Sequence, residues 1–275
     1  MFLACGPFVG DWKQEISTFR PYVRWLSNNI NNEGVFISTH SNRSFLYDWL
    51  PEENIIPIYE GLSRDELLQS GYVNLGLNRR DYMMLLRGFK NKVSSNRPNK
   101  QVENFYLYYT KTNTPWYPIY NRTFEKVKVK DSIKIDDKKY IVFIADSIEK
   151  PEKLEEIYKE ISKIYNIVVI GDMKTHLLDK NIILKNPDYF ENGYRYIMQY
   201  ITKAEAVVCP ISHWTLISNM QEIPVFSWGE CISQYSLGGI YNFGNKKINL
   251  IPNSSSEVII GSFKHFIERC KLWRK

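Results

Sequence analysis

A strand–helix–strand pattern between Ala204 and Glu230 constrains the fold of this chain more than any other segment. Residues 206–209 form an apolar strand-like run, residues 213–221 read as a short helix with few charges, and residues 224–228 form a second strand. Two strands joined through a helix lie parallel in one sheet, and parallel sheets belong to α/β proteins. The segment therefore predicts a βαβ unit of an open α/β sheet.

The turn that opens the helix of this unit is rich in polar side chains. A helix that begins at the carboxyl end of a parallel strand presents free N–H groups and the positive end of its dipole, and such sheets bind phosphate there. Ser212, His213 and Thr215 would add side-chain donors, and Glu230, just past the second strand, could bind a ribose hydroxyl pair. The alternative is an ordinary βαβ unit with nothing bound, and the polar turn favours the ligand site.

The same alternation of strands and helices runs along the rest of the chain. Strand-like runs occupy residues 2–5, 34–38, 54–59, 105–109, 140–145, 167–171 and 181–185. Helical patterns occupy residues 16–26, a segment from Phe45, residues 65–69 and 81–89, a segment from Pro151, and residues 194–203. A last helix has a capping box at Ser254 and Glu257. Residues 125–139 are charged and are either an interdomain connection or an edge hairpin. We expect two Rossmann-like domains, residues 1–130 and 131–275, that face a central cleft.

The net charge of +6 is concentrated in the middle of the chain, where Arg79 to Lys139 hold fifteen basic and six acidic residues. This region is either a solvated surface with a linker or a patch for an anionic partner such as a phosphorylated glycan, a lipid headgroup or nucleic acid. The four cysteines and four histidines are scattered, so we expect reduced thiols, a cytoplasmic protein and no metal site. No segment is long and apolar enough for a transmembrane helix, and the first residues lack a signal-peptide pattern.

Three further residues follow predicted strands or lie among aromatic side chains. Asp11, after Gly10 and the first strand, is either a helix N-cap or a general base over a bound substrate. Arg43 lies in a polar loop after the second strand. Trp116 lies among prolines and other aromatic residues, where it either stacks on a sugar or base face or packs a domain edge.

These features resemble the heptosyltransferase-like group of the GT-B glycosyltransferases, glycosyltransferase family 9. The resemblance rests on Gly10-Asp11 after the first strand, and on Ser212, the strand that begins at Pro224 and Gly229 near the end. Counted back from Pro224, the aspartate, glycine and histidine of the family's second motif fall on Ile211, His213 and Leu216. The resemblance implies a metal-independent, inverting transfer of a sugar from a nucleotide-sugar donor to an acceptor hydroxyl.

The resemblance also implies roles for individual residues. Asp11 would be the catalytic base, and domain 1–130 would bind the acceptor, with Arg43 and Trp116 as acceptor-binding residues. Domain 131–275 would bind the donor, with Lys150 or Lys153 as a cation for the diphosphate and Gly171 allowing the backbone to lie close to the donor. Gly10 would also contribute to donor binding. No cofactor is expected, and the absence of an Asp-x-Asp motif disfavours a metal-dependent GT-A enzyme. Two alternatives remain open: a viral-type glycosyltransferase that modifies a hydroxylated DNA base, and a binding protein that has lost catalysis.

Overall fold

The computed structural model describes residues 1–8, 12, 15–58, 79–105, 125–130, 138–145, 149–171, 181–182, 193–230 and 247–272. The chain divides into two compact units, Met1–Lys128 and Val129–Lys275. In the described residues the first unit contains a four-stranded sheet and the second a six-stranded sheet. Every strand pair described is parallel, which confirms the α/β class predicted from the sequence.

The first unit is built on a central strand at its N-terminus. Its strands are β1 (Phe2–Cys5), β2 (Gly34–Thr39), β3 (Ile55–Pro57) and β4 (Val102–Phe105), in the spatial order β3-β2-β1-β4. Between them lie a π-helix at Glu15–Phe19, α1 (Arg20–Asn29), 3-10 helices at Ser41–Tyr47 and Glu52–Asn54, and α2 (Arg79–Asn96). Leu3 of β1 pairs with Val35 on one side and with Glu103 on the other.

Several boundaries in the first unit differ from the sequence prediction. The strand expected at residues 105–109 is described as β4, which starts at Val102, and residues 106–109 lie outside the described residues. Glu103 and Asn104 at its centre have low strand propensity, and pairing with β1 overrides that preference. The helical segment expected from Phe45 is the 3-10 helix Ser41–Tyr47. The helix expected at residues 65–69 lies outside the described residues.

Arg20 holds the segment at residues 125–126 against the rest of the first unit. Its buried guanidinium donates from Nε to the Leu46 carbonyl at 2.6 Å. From its other nitrogens it donates to the carbonyls of Glu125 at 2.7 Å and Lys126 at 3.2 Å. The guanidinium carbon lies 4.9 Å from the centre of the Trp49 ring. Burial lowers the pKa of Arg20 to about 10, so the group stays charged at neutral pH.

The second unit contains the βαβ segment that the sequence pointed to. Its strands are β5 (Ile141–Ala145), β6 (Ile167–Gly171), β7 (Asn181–Ile182), β8 (Ala206–Pro210), β9 (Val225–Gly229) and β10 (Ile248–Pro252). Their spatial order is β10-β9-β8-β5-β6-β7. The helices are α3 (Pro151–Ser162), α4 (Gly193–Lys203), α5 (His213–Met220) and α6 (Ser256–Cys270). Strands β5, β8 and β9 are buried almost throughout, as their apolar runs predict.

One face of the second sheet is covered by α3 and α6. Alternate residues of the central strands, such as Phe143 and Phe226, enter the same buried cluster as Phe263 and Phe266 of α6. The ring centre of Phe226 lies 5.5 Å from that of Phe263 and 5.6 Å from that of Phe266. Residues of α4 and α5 are absent from this cluster, as expected for helices on the opposite face of a doubly wound sheet.

The C-terminal part of the second unit differs from the sequence prediction in two places. The sequence patterns did not predict β10, because its Ile-Asn-Leu-Ile-Pro residues lie at the sheet edge and are only partly buried. The capping box expected at Ser254 and Glu257 is wrong, since the N-cap of α6 is Ser255 and Ser254 Oγ instead donates to the Pro252 carbonyl at 3.1 Å. None of the helices that the structure describes has the length and apolar character to cross a membrane.

Candidate functional site

The strand order of the second sheet reverses between β5 and β8. From β5 the chain adds β6 and β7 on one side, then crosses to the other side of β5 and adds β8, β9 and β10. In open parallel sheets, ligands bind outside the carboxyl ends of the strands at such a reversal. Because α3 follows β5 and α5 follows β8, two helix N-termini, each the positive end of its helix dipole, lie at this edge.

The start of α5 is a complete capping box. Ser212 is the N-cap, and its hydroxyl accepts a hydrogen bond from the Trp214 N–H at 3.3 Å. Thr215 Oγ1 in turn accepts from the Ser212 N–H at 3.2 Å. Both side chains are buried. The Ser212 and Thr215 hydroxyls, which were predicted to donate hydrogen bonds to a phosphate, therefore stabilise the helix start. Half-buried His213 lies at the first helical position.

A small buried polar cluster connects this helix start to the sheet. Thr215 Oγ1 lies 3.0 Å from Ser227 Oγ in β9, and Ser227 Oγ lies 3.2 Å from Cys209 Sγ in β8. These contacts join the helix start to the carboxyl ends of two neighbouring strands. Sequence reasoning did not single out Cys209 or Ser227. The one available signal was Ser227 itself, a hydroxyl in the otherwise apolar strand Val-Phe-Ser-Trp-Gly.

At the start of α3, the two lysines predicted as cations for the diphosphate have different surroundings. Lys150 is the exposed N-cap residue of α3, and Pro151 follows it. Lys153 Nζ lies 2.9 Å from Glu149 Oε2 and 2.5 Å from Asn253 Oδ1. The charge of Lys153 is therefore compensated by Glu149. Among the described residues, none forms an ion pair with the Lys150 ammonium, which makes Lys150 the better candidate for binding an anion.

Glu149 links α3 to the end of β9. The buried indole of Trp228 donates from Nε1 to Glu149 Oε2 at 2.8 Å. Burial disfavours the charged carboxylate, but hydrogen bonds from Lys153, the Lys150 N–H and Trp228 outweigh it and hold the pKa of Glu149 below its ordinary value. No sequence pattern indicates this contact, because Glu149 and Trp228 lie 79 positions apart. The contact joins Glu149, just before α3, to the carboxyl end of β9.

Two other residues that were predicted to bind the nucleotide-sugar donor also lie at this edge. Gly171 ends β6 with φ +118°, and a Cβ there would lie 2.2 Å from the Ala145 carbonyl oxygen. The Gly171 backbone thus lies close to β5, and a residue with a Cβ at position 171 would require the backbone to shift. Glu230 is exposed and directly follows Gly229, the last residue of β9.

The first unit holds a buried charged cluster at the end of β2. Glu15 accepts hydrogen bonds from Thr39 Oγ1, from the Tyr47 hydroxyl at 2.7 Å and from Arg43 Nη1 at 3.1 Å. Burial raises the pKa of Glu15, against the opposing effect of Arg43 and the hydrogen bonds. Burial and the nearby Arg43 charge lower the pKa of His40 well below its ordinary value. His40 is therefore neutral in this cluster.

The cluster changes how Arg43 is interpreted. Its side chain is 1% exposed and forms an ion pair with Glu15, so its charge is largely compensated inside the unit. Sequence reasoning missed Glu15, since a carboxylate beside a helical pattern is usually solvated. Three predicted residues, Gly10, Asp11 and Trp116, lie outside the described residues. Of the described neighbours of Asp11 in the chain, Phe8 and Trp12 are buried.

Solved structures resemble the chain over almost its whole length. E. coli ADP-heptose lps heptosyltransferase II has a TM-score of 0.52 at 11% identity, covering 98% of this chain and 99% of that one. The glycosyl transferase family 9 structure from Veillonella parvula DSM 2008 has a TM-score of 0.55 at 11% identity, covering 98% and 97%. E. coli heptosyltransferase WaaC with ADP has a TM-score of 0.52 at 10% identity, covering 98% and 100%.

The chain has a GT-B fold. The resemblance to heptosyltransferases that the sequence suggested is thus confirmed at the level of the fold. At about one identical residue in ten, the likeness establishes the fold alone. No protein-family model matches the sequence, and a search of curated proteins finds no match.

Proposed function

We propose that the protein is a glycosyltransferase that moves a sugar from a nucleotide-sugar donor to an acceptor hydroxyl of a glycan or glycolipid. The observation that carries the proposal is the GT-B fold, shared end to end with heptosyltransferases, one of them solved with ADP. The transferred sugar would be a hexose, pentose or heptose. Fold alone does not assign function, so the candidate edge of the second sheet has to support the chemistry.

The second unit would bind the donor, within the domain proposed at residues 131–275. The negative diphosphate would lie where α3 and α5 begin, since both helices direct N–H groups there. Exposed Lys150 would add a full positive charge, and half-buried His213 a further donor. Glu230 would bind the ribose hydroxyls from the end of β9. Ser212, Thr215 and Gly171 would shape the backbone around the diphosphate rather than contact it through long side chains.

The first unit would bind the acceptor, within the domain proposed at residues 1–130. Asp11 would accept the proton of the acceptor hydroxyl as general base. The acceptor oxygen then forms a bond to the anomeric carbon while the bond from that carbon to the diphosphate oxygen breaks. The departing diphosphate takes the electron pair, and the helix N-termini with Lys150 stabilise its charge. Direct attack from the face opposite the leaving group inverts the anomeric centre, and no metal ion is required.

Two further acceptor-binding residues belong to this proposal. Trp116 would stack on a sugar face. Arg43 would act mainly by shaping the acceptor side, because its charge is paired with Glu15. A cytoplasmic location is proposed with the enzyme, because the four cysteines are scattered along the sequence, as in proteins of a reducing compartment.

A thermal-shift screen with sugar-linked and free UDP, GDP, ADP, CMP and dTDP tests the proposal. A nucleotide that binds the folded protein raises the melting temperature by mass action. The ligand that does so is then tested for transfer with wild type and with Asp11→Asn. We expect the variant to keep the donor-induced shift and to lose transfer by on the order of a hundredfold or more. A wild-type protein that binds none of these ligands contradicts the proposal, and a variant that transfers normally contradicts the role of Asp11.

A further inference from the structure

Helix α2 leaves two large apolar side chains in water. Met83 is 51% and Met84 64% exposed, and these are two of the three exposed large hydrophobic side chains that the structure describes. The opposite face of the helix is in the core, where Leu86, Phe89 and Val93 are at most 3% exposed. The helix is thus already docked by one face, and the methionines belong to the other. We call Met83, Met84 and Arg87 the outer face of α2.

The outer face is basic as well as apolar. Arg87 is exposed and lies one helical turn after Met83 and Met84, so the three side chains share one side of the helix. The sequence of α2 contains five Arg or Lys and one Asp, in the most basic part of the chain. A Cβ added at Gly88 would meet nothing within 4 Å, so the surface beside Arg87 is open.

We propose that the outer face of α2 binds the surface of an anionic lipid membrane. Methionine is flexible and polarisable, and suits insertion among acyl chains. A helix lying in the interface places its apolar side chains below the headgroups and its basic residues at the level of the phosphates. Each Lys or Arg near an anionic leaflet adds attraction that salt screens. The arrangement of Met83, Met84 and Arg87 meets both requirements.

Other partners fit this face less well. In a symmetric dimer through the same face, the Arg87 side chains of two copies would approach each other, and like charges repel. A nucleic acid would use the basic residues alone and would leave both methionine side chains in water. The membrane alone of the three uses the apolar and the basic residues together. This inference is independent of the proposed transferase activity, because it requires no donor or acceptor.

Cosedimentation of the full chain with vesicles tests the inference. Vesicles of phosphatidylcholine alone are compared with vesicles that also contain phosphatidylglycerol, at low and at high salt. We expect binding to the anionic vesicles only, and weaker binding as salt rises. The double variant Met83→Ser/Met84→Ser should bind on the order of tenfold more weakly. Arg87→Glu should weaken binding about fivefold or more.

Matched controls come from α6 in the second unit. Val258 is the third exposed large hydrophobic residue, at 53%, and Lys264 is an exposed lysine on the same helix. Val258→Ser and Lys264→Glu should leave vesicle binding unchanged, while the melting temperatures of all variants report whether they fold. The inference is overturned if wild type ignores anionic vesicles, or if the methionine variant binds them as Val258→Ser does. It is also overturned if the methionine variant only converts a dimer to a monomer.

Discussion

Arg43 and Glu15 form an ion pair inside the first unit, with Arg43 Nη1 3.1 Å from Glu15 Oε2 and side chains 1% and 0% exposed. The Thr39 and Tyr47 hydroxyls donate to the same carboxylate. Two charges are tolerated in the interior because each compensates the other and the carboxylate's hydrogen bonds are made. The pair thereby joins the π-helix Glu15–Phe19 to the 3-10 helix Ser41–Tyr47 at the end of β2.

We expect Glu15→Gln to lower the free energy of unfolding by about 3 kcal/mol, because it leaves the Arg43 charge buried without its counter-charge. Urea denaturation measures the change, provided that the m-value, the slope of the unfolding free energy against urea concentration, is the same in both proteins. The matched control is Lys163→Gln, which removes the exposed ion pair with Glu160 and should change stability by less than about 1 kcal/mol. A Glu15→Gln variant as stable as wild type would show that the pair contributes nothing.

Gly171 and Gly88 should respond to alanine in opposite directions. At Gly171 the positive φ and the 2.2 Å approach of a Cβ to the Ala145 carbonyl force the backbone to shift, and we expect a loss of about 2 kcal/mol or more. At Gly88, inside α2 with open space around it, alanine should stabilise the protein by about 0.5–1 kcal/mol. Melting temperatures of the two variants give the test, and equal shifts in both would contradict it.

Lys150 and Lys153 should differ in what their loss affects. Lys150→Ala removes an exposed charge at the start of α3, so the affinity for a nucleoside diphosphate should fall about tenfold with little change in stability. Lys153→Ala breaks the contacts with Glu149 and Asn253, and we expect it to lower the melting temperature. Isothermal titration with ADP and UDP, with and without EDTA, measures the first effect. Identical behaviour of the two variants would count against Lys150 as the diphosphate cation.

The carboxylate of Glu149 should make stability depend on pH. Despite the opposing effect of burial, its hydrogen bonds hold the pKa of Glu149 in the folded protein below the ordinary 4.5. The stabilisation is therefore present above about pH 4.5 and is lost as pH falls through the lower folded value. The difference in unfolding free energy between wild type and Glu149→Gln should be largest near neutral pH and shrink in acid. Trp228→Phe removes the hydrogen bond from the indole to Glu149 and should reduce the pH dependence of stability. A stability difference between wild type and Glu149→Gln that grows in acid would contradict the prediction.

Sequence patterns predicted the second sheet well because its central strands are buried on both faces. Runs such as Ile-Val-Phe-Ile-Ala in β5 consist of strand-forming apolar residues, and few other structures accommodate them. The edge strand β10 alternates less clearly, and the two central residues of β4 are polar, so tertiary pairing decides both. Local rules missed β10 and placed the strand that includes Phe105 three residues too late.

The candidate site was predicted in outline and not in its contacts. The polar turn at Ser212 was identified from its place after a strand, but its capping box was not, because Thr215 replaces the usual Glu or Gln of that motif. Glu149 with Trp228, and Glu15 with Arg43, are contacts between residues far apart in the sequence. A single sequence carries no signal for such pairs until the fold brings them together.

The parallel pairing of β1 with both β2 and β4 also bears on how the protein is made. Val35, which pairs with Leu3 on one side, is synthesised about thirty residues after Leu3. Glu103, which pairs with Leu3 on the other side, is synthesised about a hundred residues after Leu3. Until β4 has left the ribosome, one edge of β1 keeps its amide and carbonyl groups unpaired by the sheet. The nascent first unit should therefore need protection from aggregation for longer than a unit built of hairpins of the same size.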